Sequence, residues 1–303
     1  MPVPRRILIT GSGGFVGSHL MPALRGTYPD ATLIGLAADI TDQAAVQAEV
    51  ADVRPDAVVH LAAIAAIPAA RQDPDLAWSV NLHGTRYLAR AIMAHAPAAI
   101  LVFASTADLY GATFRAGVPV DEDAMLAPLN AYAATKAAAD LALGALAAEG
   151  LRVIRMRPFN HTGPGQTDAF VVAAFARQVA RIAAGLQVPA IKVGDLSPLR
   201  DFLDVRDVCA SYVLALGTDL PPGTILNVAS GQARRVGDVL NDMLTIAGVS
   251  ADVQVDAARL RPTDIPAAIG DATRLRALGW TPAIPWAQTL ADTLAYWKHK
   301  SVA

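Results

Sequence analysis

The chain has 303 residues, of which 53% are apolar and 17% charged, and its 25 Lys and Arg stand against 27 Asp and Glu for a net charge of −2. That composition excludes a disordered polyelectrolyte and argues against a protein that grips nucleic acid through bulk positive charge, so no nucleic-acid partner is expected. The lone Cys209 rules out an internal disulfide and a cysteine metal cluster, and the six histidines show no ligand spacing, so no metal site is expected.

Short β-branched runs alternate with alanine-rich helical stretches through the first half. Strands are predicted over 6–10, 31–36, 57–61, 100–104 and 151–155, and helices over 16–24, 42–50, 75–94 and 132–148. Apolar strands separated by helices of this length predict an α/β fold, a doubly wound and mostly parallel Rossmann-type sheet. After Pro158 turn formers take over, bracketing a helix over 169–184. Later come a strand at 226–230, a helix over 236–246 and a closing helix over 286–297. We read residues 1–160 as a dinucleotide-binding domain that also carries the catalytic residues, and 161–303 as mainly a smaller substrate domain, with 205–230 packing back on the first. The apolar run 57–70 contains His60 and Pro68 and falls short of the roughly 20 residues of a membrane helix. The start carries no signal-peptide core, so a cytoplasmic protein with no membrane partner is expected.

Directly after the first strand, RILITGSGGFVGSHL places Gly11, Gly14 and Gly17 at GxxGxxG spacing. Gly11 permits a tight turn, Gly14 a close approach of backbone to a pyrophosphate, and Gly17 close packing of helix on sheet. The pyrophosphate then meets the helix N-terminus at Phe15 and Val16. The second strand runs into Ala37 and Ala38, so no acid and no arginine stands where the ribose 2′ position is normally read. Missing repulsion admits a 2′-phosphate, which favours NADP while leaving NAD open.

Tyr132 and Lys136 lie four apart on a helical segment and so share a face. An ammonium beside the phenol favours the phenolate and can also hold the nicotinamide ribose. Ser105 and Thr106 follow the 100–104 strand at its carboxyl end, where such sheets bind ligands, and either could share the substrate's carbonyl oxygen.

Together these motifs resemble the extended short-chain dehydrogenase/reductases that act on nucleotide sugars, over nearly the whole chain. The resemblance implies that Asp39, with Ile40, lies near adenine. It also implies that Leu61, Ala62 and Ala63 of the H-L-A-A run line the cofactor, and that Asn81 organises the active site. Thr106, four residues before the Tyr110-Gly111 pair, matches the catalytic hydroxyl, with Ser105 its neighbour, and Tyr132 and Lys136 match the catalytic pair. Sugar 4,6-dehydratases of this group carry an Asp-Glu pair where this chain has Ala107 and Asp108. Without the acid there is no proton donor for an expelled hydroxyl, which leaves keto reduction or epimerisation at C4.

RPFNHTGPGQ, VGDLSPLRDFLDVRDV and LRPTDIP closely resemble the GDP-4-keto-6-deoxy-mannose reductases. By that resemblance Asn160 contacts the diphosphate region, Arg200 and Arg261 hold the pyrophosphate, and Val193 helps line the base pocket. His161, Asp108 and Asp264 join as candidate substrate contacts, while Arg206 and Asp207 are expected to tie their segment to the first domain. Paired arginines suit a diphosphate on physical grounds as well, since each offers a rigid fork of donors. The implied activity is NAD(P)H-dependent reduction of a GDP-4-keto-6-deoxy-hexose to GDP-D-rhamnose or GDP-6-deoxy-D-talose, in a homodimer. A 4-epimerase with tightly held NAD is the alternative, and a catalytically silent dinucleotide sensor the third reading.

Overall fold

The computed structural model describes residues 3–260 and 265–302. Strand β1 (Arg6–Thr10) leads into helix α1 (Phe15–Thr27), then β2 (Thr32–Gly35), α2 (Gln43–Val53) and β3 (Ala57–His60). Two short helices, α3 (Ile67–Gln72) and α4 (Pro74–Trp78), pass through a π-helical turn at Ser79–Gly84 into α5 (Thr85–His95). Strand β4 (Ile100–Ala104), a 3-10 stretch (Ala107–Ala116), α6 (Ala131–Ala148) and β5 (Val153–Pro158) follow. The rest is β6 (Asn160–Thr162), α7 (Val171–Ala183), β7 (Ala190–Val193), β8 (Leu199–Asp204), α8 (Val205–Gly217), β9 (Ile225–Val228), β10 (Ala233–Arg235), α9 (Val236–Ala247), β11 (Asp252–Val255), β12 (Ala267–Ala268), α10 (Thr273–Ala277) and α11 (Trp286–Val302).

Six strands form one parallel sheet in the order β2-β1-β3-β4-β5-β9. Both faces are covered, which is why the strands read as near-continuous apolar runs. β1 sends Ile7 and Ile9 into one core with α1 and α8 (Leu20, Leu24, Val208, Tyr212), and Leu8 into another with α2, α5 and α6 (Val46, Val50, Leu88, Leu143). The order reverses at β1, whose neighbours are β2 on one side and β3 on the other, and the crevice at their carboxyl ends is where such sheets take ligands.

A third apolar cluster joins α7, α9 and α11 to β7 and Phe202 of β8. Here β8 is flanked by β10, β12 and β6, while β7 pairs with β11. Residues 205–228 return to the large sheet: α8 packs on α1 through Cys209, whose Sγ lies 3.6 Å from the Val16 carbonyl, and β9 adds the sheet's last strand beside β5.

Two predicted elements differ. The 75–94 helix is broken by the π-helical turn, with Asn81 buried inside it. The strand after α6 starts at Val153 rather than 151, because the Leu151 amide still donates to the Leu146 carbonyl and closes the helix end.

Candidate active site

The glycine loop sits at the switch point. Gly11 takes φ +68°, and a Cβ there would lie 2.9 Å from the amide nitrogen of Ala62, so glycine is required where the loop meets the end of β3. α1 opens at Gly14 without a side-chain cap, leaving its start to a ligand, and a Cβ on Gly13 would meet nothing within 4 Å. Gly17 lets the helix close on the loop, since a Cβ there would be 2.4 Å from the Ser12 carbonyl.

The H-L-A-A run acquires a physical account. The Thr10 hydroxyl accepts from the amides of Leu61 and Ala62 at 3.1 and 3.0 Å, and it is held by His60 Nδ1 at 2.6 Å. His60 Nε2 meets Thr85 at 2.8 Å, so both ring nitrogens are satisfied inside the core. Burial, with help from the Lys136 charge, drops the His60 pKa to about 3 and keeps the ring neutral. Ala63 follows in the same loop, which Asn81 ties down by accepting from Ile64 N at 2.8 Å and donating to Thr135 Oγ1 at 2.9 Å. Asp39 is exposed and accepts from the backbone and hydroxyl of Thr41, which lowers its pKa, and Ile40 is buried against the π-helical turn at Gly84.

Asn130 caps α6 by accepting from Ala133, which sets Tyr132 in the first turn and Lys136 one turn on. The Tyr132 phenol lies within reach of the Thr106 hydroxyl. Burial pushes the phenol above its ordinary value, the nearby Asp108 carboxylate pushes the same way, and the Thr106 hydroxyl opposes both. This corrects the expectation that Lys136 lowers the tyrosine's pKa. The Lys136 ammonium instead donates to the Ala104 carbonyl at 2.6 Å, above the Phe103 ring, and burial pulls its own pKa down to about 7 while Asp140 raises it. Asp108 also acts on Arg200, raising the pKa that burial lowers, so one carboxylate is within electrostatic reach of both the tyrosine and the arginine.

Ser105 is a second correction. Its hydroxyl donates to Asp140 Oδ2 at 2.7 Å, so of the two candidate hydroxyls only Thr106 is brought to Tyr132. Asp140 is the centre of a buried network that the sequence reading missed: it also takes Arg157 at 2.9 and 3.2 Å and Arg155 at 3.1 Å. Arg157 continues to the Tyr110 hydroxyl, which donates to Asn227 at 2.7 Å. Glu49 was missed too. From α2 its two carboxylate oxygens accept the Ala37 and Ala38 amides at 2.9 and 2.8 Å, so an acid does stand at the end of β2.

Asn160 is exposed on β6, opposite Phe202 of β8. His161 stacks on Phe15 of the glycine loop with 6.3 Å between centroids, and burial lowers its pKa. The Arg200 guanidinium donates to the carbonyls of Leu199 and Ile265. The Val193 side chain is taken up by the core of the C-terminal unit. Arg261 and Asp264 lie outside the described residues. Arg206 and Asp207 bind the C-terminal segment rather than the first domain: Arg206 bridges Asp204 and Asp292, and Asp207 accepts from the amides of Ala283 and Ile284.

Residues 7–229 match the family described as NAD dependent epimerase/dehydratase. The chain belongs to that family. It is 36% identical over 300 residues to GDP-6-deoxy-D-mannose reductase of Pseudomonas aeruginosa, with 98% of each chain covered. Its fold superposes on the Pseudomonas aeruginosa RMD structure complexed with NADPH at a TM-score of 0.90 and 35% identity, covering 98% of this chain and 99% of that one. The UDP-glucose 4-epimerase of Thermus thermophilus in complex with NAD gives 0.84 at 29% identity, covering 97% and 99%. Like other members of the epimerase/dehydratase family, then, the chain is an NAD(P)-dependent oxidoreductase. Among the described residues no helix is long and apolar enough to cross a membrane.

Proposed function

We propose that the protein reduces the C4 keto group of a GDP-4-keto-6-deoxy-hexose with NADPH or NADH, giving GDP-D-rhamnose or its C4 epimer GDP-6-deoxy-D-talose. The observation that carries this is the placing of Tyr132 within reach of the Thr106 hydroxyl, with Lys136 one turn on, at the carboxyl end of the sheet. The full-length similarity to a GDP-6-deoxy-D-mannose reductase supports the choice of sugar nucleotide.

When bound, the reduced nicotinamide supplies the hydride that adds to C4. Gly11, Gly14 and Gly17, with the amides of Phe15 and Val16, hold the pyrophosphate at the start of α1. Asp39 and Ile40 serve the adenine end, and Leu61, Ala62 and Ala63, braced by Asn81, form the wall along the dinucleotide. Lys136 holds the nicotinamide ribose. Tyr132, kept protonated by burial and by Asp108, is in the form a reduction needs, and its Oη gives the proton to the C4 oxygen. The Thr106 hydroxyl shares that oxygen and stabilises the phenolate left behind. Arg200 and Arg261 hold the substrate diphosphate, with Asn160, His161, Asp108, Asp264 and Val193 around the sugar nucleotide. Ala107 is buried and carries no acid to expel a hydroxyl, which favours reduction over dehydration. The reading includes a cytoplasmic homodimer seated on α5 and α6, where Leu141 is 59% exposed.

The test is oxidation of NADPH and of NADH by the purified protein given GDP-4-keto-6-deoxy-mannose, with the product sugar identified by NMR. Stoichiometric oxidation to either product is expected. Absence of oxidation, with NAD carried through purification and a sugar nucleotide epimerised without added cofactor, would replace the reductase by a 4-epimerase.

A further inference from the structure

We infer that Glu49 makes this protein select NADH over NADPH. The inference rests on the reading of the glycine loop as a dinucleotide site and concerns the adenosine end of that site.

In sheets of this kind the residues at the end of β2 lie beside the 2′ position of the adenosine ribose. Here that end is in direct contact with the glycine loop: the Leu36 amide donates to the Ile9 carbonyl at 2.9 Å, and a Cβ on Gly35 would lie 2.6 Å from Ser12 Oγ. The residues that follow are Leu36, Ala37 and Ala38, which bring no cation. Successive main-chain amides in such a turn form a seat for an anion. In this protein the seat is taken by its own side chain, with one oxygen of Glu49 on the Ala37 amide at 2.9 Å and the other on Ala38 at 2.8 Å.

A ribose 2′-phosphate arriving there meets neither the amides nor a guanidinium but a negative charge pinned at two points. The charged side chains next in sequence, Asp39 and Asp42, have the same sign, and each carboxylate is turned onto its own backbone, at Thr41 and Ala45. Arg54, on the far end of α2, directs its Nε to the Ala51 carbonyl. A 2′-hydroxyl is treated differently, because a carboxylate that accepts one amide per oxygen keeps lone pairs for a further donor. The same group therefore attracts the hydroxyl of NADH and repels the phosphate of NADPH. The preference is opposite to the cofactor in the related RMD structure, which is complexed with NADPH.

Dissociation constants for NADH and NADPH, measured by fluorescence titration of the substrate-free protein, test this without any turnover. Two like charges a few ångströms apart near a protein surface are expected to separate the two constants by roughly ten- to hundredfold, NADH the tighter. Glu49→Gln keeps the shape and removes the charge, and should tighten NADPH about tenfold while NADH changes less than about threefold. Raising the salt from about 0.05 to about 0.5 M should shrink the wild-type ratio, since screening acts on the repulsion alone. NADPH binding as tight as NADH overturns the inference, as does a ratio that neither salt nor Glu49→Gln changes. Should the variant fail to fold, the salt series on the wild type decides. Loss of binding to both dinucleotides would instead sink the dinucleotide site itself, a result that equal binding could not be confused with.

Discussion

Replacing Asp140 by asparagine is expected to destabilise the protein by about 3–5 kcal/mol, the cost of leaving a buried cation without its partner. The carboxylate is fully buried and takes three side chains: Ser105 at 2.7 Å, Arg157 at 2.9 and 3.2 Å, and Arg155 at 3.1 Å. Arg157 is 2% exposed, and its remaining donors go to the Tyr110 hydroxyl and the Glu122 carbonyl, so water cannot take over the lost charge. Asparagine keeps one acceptor oxygen but turns an amide donor toward a guanidinium. Against a typical total of about 5–15 kcal/mol this is a large fraction. At about 1.6 °C per kcal/mol for a chain of this size, Tm should fall by about 5–8 °C. Scanning calorimetry with a urea series measures it. Asp140→Leu combined with Arg157→Met should recover part of the loss, because both charges are then gone. A cost below about 1 kcal/mol for Asp140→Asn would refute the argument that Arg157 depends on this carboxylate. The change also reaches the site. Asp140 raises the Lys136 pKa, so its removal should push that lysine below about 7 and move the basic limb of kcat/KM to lower pH.

His60 gives a pH dependence of stability. Folded, the ring stays neutral with a pKa of about 3, whereas the unfolded chain takes up the proton near 6.5. The unfolded state therefore binds more protons between those values, and stability should fall as the pH drops from about 6.5 towards 3, by up to about 4–5 kcal/mol from this residue. Denaturant titrations at several pH values in that window should show a flatter profile for His60→Gln, and equal slopes for the two proteins would count against the assignment. The hydroxyl pair separates as well. Thr106→Val should lower kcat about 10²-fold or more with little change in fold. Ser105→Ala should leave kcat nearly untouched while costing about 1 kcal/mol in unfolding free energy, as the loss of its bond to Asp140 predicts. The opposite pattern would restore Ser105 as the catalytic hydroxyl.

Much of the fold, and the shared face of Tyr132 and Lys136, was legible because each rests on local pattern. β1 is predicted and found at Arg6–Thr10, β4 at Ile100–Ala104, and α6 within one residue, since period and turn signals set them. Tyr132 and Lys136 were readable because four residues is one helical turn. What stayed hidden depends on contacts far apart in sequence. Ser105 and Thr106 are adjacent and chemically alike, and it is Asp140, 35 residues on from Ser105, that takes the Ser105 hydroxyl. Glu49 lies within an alanine-rich helix between the buried Val46 and Val50, and nothing local says that it turns back to the end of β2. Even the Tyr110-Gly111 pair, visible as a motif, had no visible cause. Gly111 takes φ +47° where a Cβ would clash at 1.9 Å from the Ala127 carbonyl oxygen, and Tyr110 carries the Arg157 network to Asn227, 117 residues away.

The π-helical turn at Ser79–Gly84 shows how such long-range requirements override a readable pattern. The 75–94 stretch carries continuous helical periodicity, yet one turn widens, as π-helical turns often do at functional sites. Asn81 within it reaches in two directions, to both polar main-chain atoms of Ile64 in the loop after β3 and to Thr135 on α6. Thr135 in turn donates to the Tyr132 carbonyl at 2.8 Å. A single buried amide thus locks the loop beside the glycine motif to the helix that carries Tyr132. Neither element can shift without breaking these buried hydrogen bonds, and a cost of about 1–3 kcal/mol for each buried group left unpaired holds the loop and Tyr132 in register.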